Sequence, residues 1–139
     1  MNNEDYASYE LALKLKACGF DEPCIAQWAC EPDGKPMLLG STAFVFSNAE
    51  LKGRDVSAPL LFHAQKWLRE AKGIDVLVWN CACGYGWEIS KADAQSRGTM
   101  LMDYDDNGED MDSGMWMAYE KALAVGIEAA LQLLDNKKE

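Results

Sequence analysis

The stretch Ala58-Pro-Leu-Leu-Phe-His-Ala-Gln-Lys-Trp-Leu-Arg-Glu-Ala-Lys-Gly-Ile-Asp-Val-Leu-Val-Trp-Asn-Cys81 decides the fold class. Its first half puts Leu60, Leu61, Ala64, Trp67, Leu68 and Ala71 at spacings of three and four, with His63, Gln65, Lys66, Arg69, Glu70 and Lys72 filling the other side. That period is an amphipathic helix with one face toward a core. Ser57 is the predicted N-cap, Pro59 falls inside the first turn, and Gly73 ends the helix. The second half, Ile74 to Cys81, is dense in β-branched and aromatic residues and apolar at both parities, which predicts a central strand.

Upstream, Ser8 to Cys18 is rich in strong helix formers, with Ser8 as N-cap and Gly19 as the residue after the C-cap. Pro23 follows, then a strand over Cys24 to Cys30, a turn at Glu31-Pro32-Asp33-Gly34, and a second strand over Met37 to Phe46, which together read as a hairpin. Ser47 to Ser57 is polar and reads as a loop. Downstream, a turn at Gly84-Tyr85-Gly86 leads into a strand over Trp87 to Lys91, and Gly98 to Asp103 suggests a weaker, edge-like strand.

The chain closes on a stripe of Met115, Trp116, Tyr119, Ala122, Leu123, Gly126, Ile127, Ala130, Leu131 and Leu134, predicting one long helix from about Ser113 to Asn136. Ala118, Ala122, Gly126 and Ala130 form a row of small residues that admits close approach by a sheet or a partner helix. The order is α-β-β-α-β-β-(β)-α, and the strand connections are short enough for hairpins. The expectation is a single α+β domain over residues 1–139, an antiparallel sheet of four to five strands covered by three helices.

Lys and Arg number 13 against 23 Asp and Glu, a formal net charge of −10, so nonspecific attraction to nucleic acid or an anionic membrane is disfavoured. Six of the acids lie between Asp103 and Asp112 with no base among them. No run reaches the ~20 apolar residues of a membrane span, and Met1-Asn2-Asn3-Glu4-Asp5 lacks the basic flank and apolar stretch of a signal peptide. Five cysteines, an odd number without an export signal, imply reduced thiols and a cytoplasmic address.

Three motifs in this order carry a resemblance: Ser-Tyr-Glu-Leu-Ala-Leu-Lys-Leu-Lys-Ala-Cys-Gly-Phe-Asp-Glu-Pro-Cys (Ser8 to Cys24), Ala-Pro-Leu-Leu-Phe-His-Ala-Gln-Lys-Trp-Leu-Arg-Glu (Ala58 to Glu70) and Tyr-Glu-Lys-Ala-Leu (Tyr119 to Leu123). The chain resembles small proteins carried by phages and mobile elements of Bacteroides-like gut bacteria, a group without an assigned activity. The resemblance spans most of the length. This chain departs from the pattern by a longer first hairpin, by the insertion of Asp103 to Asp112 and by fewer aromatics. It implies an accessory role and transfers no catalytic residue.

Of the patterns that bear chemistry, Asp103-x-Asp105-x-Asn107-Gly108 reproduces the first six positions of a calcium loop, where oxygen ligands alternate and glycine permits the turn. The twelfth position, where a bidentate Glu belongs, is Gly114, and Asp110 or Asp112 would have to supply the missing carboxylate. Asp103, Asp105, Asn107 and Asp112 are the candidate calcium ligands; a plain solvated turn at Asn107-Gly108 competes. Cys18, Cys24 and Cys30 with Cys81-x-Cys83 lack the pair spacing of structural zinc sites and suit packing better. The only histidine, His63, sits on the polar side of its helix with no nucleophile elbow anywhere. Gly84-x-Gly86 is no phosphate loop, and the five tryptophans lack the basic neighbours of a base-stacking platform.

The expected function is a non-catalytic accessory protein that binds another protein, with a homodimer through the C-terminal helix as one form of it. The alternatives are a calcium-binding module on Asp103 to Asp112, and an acidic nucleic-acid mimic in which that run occupies a host protein's groove.

Overall fold

The computed structural model describes residues 3–40, 45–81, 84–92, 99–102 and 116–136. The chain is α+β and divides into two compact units, Met1–Leu61 and Phe62–Glu139. Among the described residues no helix is long and apolar enough to cross a membrane.

The first unit begins with α1, Tyr9–Ala17. Ser8 caps it, its side chain accepting from the Leu11 N–H at 3.2 Å, and Gly19 ends it at φ 99°, a left-handed conformation that glycine adopts without strain. Strands β1 (Ala26–Cys30) and β2 (Pro36–Gly40) form the expected hairpin, and β3 (Val56–Ser57) pairs with the other side of β1, giving an antiparallel sheet in the order β2-β1-β3. Leu11, Ala12 and Leu15 of α1 are buried, as are Phe20, Cys24, Ala26 and Val56.

The stretch expected to be a bare loop is organised instead. Asn48–Glu50 is a 3-10 turn closed by Glu50, whose Oε1 accepts from the Ser47 N–H at 3.0 Å and the Ser47 hydroxyl at 3.1 Å. Ser57 is not the N-cap of the next helix: it lies in β3, opposite Gln27. The chain stays extended through Pro59, whose carbonyl accepts from the Ala7 N–H at 2.8 Å, and Leu60 bridges Tyr6. Helix α2 therefore starts only at Leu61 and runs to Lys72.

In the second unit β4 (Ile74–Cys81), β5 (Gly84–Lys91) and β6 (Thr99–Met102) form an antiparallel sheet in that order. The described strands thus lie in two sheets of three, where one sheet of four to five was expected. Among the described strands β4 lies at the edge rather than the centre. Its open side is met by a side chain, since Gln65 Nε2 of α2 donates to the Val76 carbonyl at 2.7 Å, a common way to blunt an edge. Gly84, Tyr85 and Gly86 are strand, not turn, because Tyr85 exchanges both main-chain bonds with Trp116, at 2.7 and 3.2 Å.

Helix α3, Tyr119–Asn136, has 18 residues and a length of about 27 Å. It starts later than its hydrophobic stripe does, since Trp116 is committed to the bridge with Tyr85. Ala122, Ile127, Ala130 and Leu131 are buried, and Gly126 faces Val76 of β4 and Trp87 of β5. Gly126, within the row of small residues, lets the helix backbone come down onto the chain's own sheet.

Candidate functional site

The β1–β2 hairpin has two unlike faces, because alternate residues of a strand point to opposite sides. On the inner side Trp28 and Cys30 meet α1. Trp28 Nε1 donates to the Ala7 carbonyl at 2.9 Å, and its indole stands edge-on to Tyr9 with ring centroids 6.3 Å apart. The Cys30 thiol donates to the Tyr9 hydroxyl at 3.3 Å, and the Cys30 N–H to Asp55 Oδ1 at 3.3 Å.

A second clasp holds the base of the hairpin. The buried Asn48 carboxamide donates from Nδ2 to the Phe20 carbonyl at 2.8 Å and accepts at Oδ1 from the Ser57 N–H at 2.8 Å. Ala49 N–H donates to Asp21 Oδ1 at 2.7 Å. Cys24 and Phe46 exchange main-chain bonds at 2.9 and 3.2 Å. A hairpin pinned this way at inner face and base loses little entropy when something docks on its open side.

The open side is apolar. Ala29 stands opposite Met37, and Gln27 opposite Leu39, on the face turned away from Trp28. Met37 is 50% and Leu39 44% exposed. Ile25, just before β1, is exposed as well. Apolar side chains gathered on a rigid element mark an interaction surface more than the same number scattered singly.

The sheet edge carries a further feature. The Glu31 N–H donates to the Lys35 carbonyl, and the Ala58 N–H to the Ala26 carbonyl. With the register Ala29 to Met37 and Gln27 to Leu39, the alternation of an antiparallel ladder directs the main-chain groups of Met37 and Leu39 toward β1. Those of Pro36, Leu38 and Gly40 point outward. Pro36 thus lacks its N–H on the open side, where no ladder bond is lost.

The residues singled out for chemistry fare differently. Asp103, Asp105, Asn107 and Asp112 lie outside the described residues, as do Asp110, Cys83 and the side chain of Cys81. Cys18, Cys24 and Cys30 are free thiols, and among the described residues no group of three Cys, His, Asp or Glu is placed to hold a metal. Burial, aided by the charge of Glu22, pushes the Cys24 thiol up to about 12, so it stays protonated and inert. His63 is half-buried on α2.

Sequence reasoning missed Asn48. Its signal was present, since Ser47-Asn-Ala-Glu50 is a capping-box pattern that marks structure within a polar stretch. No protein-family model, curated protein or solved structure matches the chain.

Proposed function

We propose that this chain is a non-catalytic accessory protein that works in a reducing cytosol by binding another protein through the open side of the β1–β2 hairpin. The observation that carries this reading is the contrast between its two faces. Trp28, Cys30 and Asn48 spend their polar groups fixing the hairpin, while Met37 and Leu39 stand exposed beside them. The resemblance to phage and mobile-element proteins supports an accessory role, and the free thiols of Cys18, Cys24 and Cys30 fit a reducing compartment.

The test is the double variant Met37→Glu, Leu39→Glu as bait beside the wild type in lysate from a Bacteroides-like host. Both side chains point away from α1, so the variant keeps the wild-type circular dichroism and melting temperature. A protein retained by the wild type and lost by the variant is the expected result. Equal retention by both baits, or retention by neither, would overturn the proposal.

A further inference from the structure

We draw no further inference here: the strongest candidate, the face of the second sheet on which Leu77 stands exposed and the Trp79 indole lies across Gly86, carries nothing, because nothing among the described residues shows what covers it.

Discussion

Gly126 of α3 lies so close to Val76 of β4 that a Cβ on the glycine would stand 2.8 Å from Val76 Cγ1 and 3.0 Å from Trp87 Cβ. Glycine inside a helix is ordinarily a weakness, and here it is the condition for helix and sheet to touch.

Gly126→Ala sets two effects against each other. Alanine gains about 1 kcal/mol of helix propensity, while overpacking a filled interface costs about 1–3 kcal/mol. The Trp87 Cβ is fixed to the strand backbone and has no rotamer by which to retreat, so the cost wins. Urea denaturation followed by tryptophan fluorescence should show a net loss of about 1 kcal/mol. A more stable variant would mean that α3 lifts from the sheet at little cost.

Asn48 is the buried polar group on which the first unit most depends. Asn48→Ala takes one hydrogen bond from the Phe20 carbonyl and removes the acceptor of the buried Ser57 N–H, and a buried group left unsatisfied costs about 1–3 kcal/mol. The expected loss is about 2–4 kcal/mol, read from the urea midpoint. Asn48→Asp keeps the acceptor for Ser57 but turns a carboxylate oxygen toward the Phe20 carbonyl, so it too destabilises, and less so in acid, where the carboxyl regains a donor.

Cys24 makes stability fall in alkali. Its thiol is raised from 9.0 to about 12 in the folded chain, so the folded state favours the protonated form. That contribution is whole below about pH 9, where folded and unfolded chains both hold the proton, and is lost as pH rises from there toward 12. Cys24→Ala should flatten the decline of Tm between pH 9 and pH 10.5 relative to wild type. In the native protein Cys24 should also alkylate far more slowly than Cys18 or Cys30. Equal rates would show that the site opens readily.

Gln65 covers the open edge of β4 by donating to the Val76 carbonyl at 2.7 Å. Gln65→Ala should cost about 1 kcal/mol and increase aggregation at partial denaturation, since a bare edge strand is a template for pairing. Light scattering near the urea midpoint measures the second effect.

The elements were readable where local chemistry is strong. The caps of α1, the turn at Gly34 and the period of α2 all depend on neighbours within a few residues, and the structure has them at Ser8, Gly19, Gly34 and Leu61–Lys72. Boundaries shifted where a distant partner claimed the backbone. Ser57 reads as a helix cap, yet its N–H goes to Asn48 and its strand to Gln27. Trp116 fits the stripe of α3, yet its main chain pairs with Tyr85.

The amino-acid order determined the α+β class, the succession of helices and strands and the apolar faces that must be covered, because periodicity and caps act over one or two turns of chain. Tertiary structure alone decided that the described strands divide into two sheets, that Gly126 serves the chain's own sheet, and that Met37 and Leu39 remain uncovered. The reason is physical: which strand lies beside β1 or β4, and which face is left without a cover, depends on main-chain bonds between residues far apart in the chain, and a strand's own residues do not encode its neighbour.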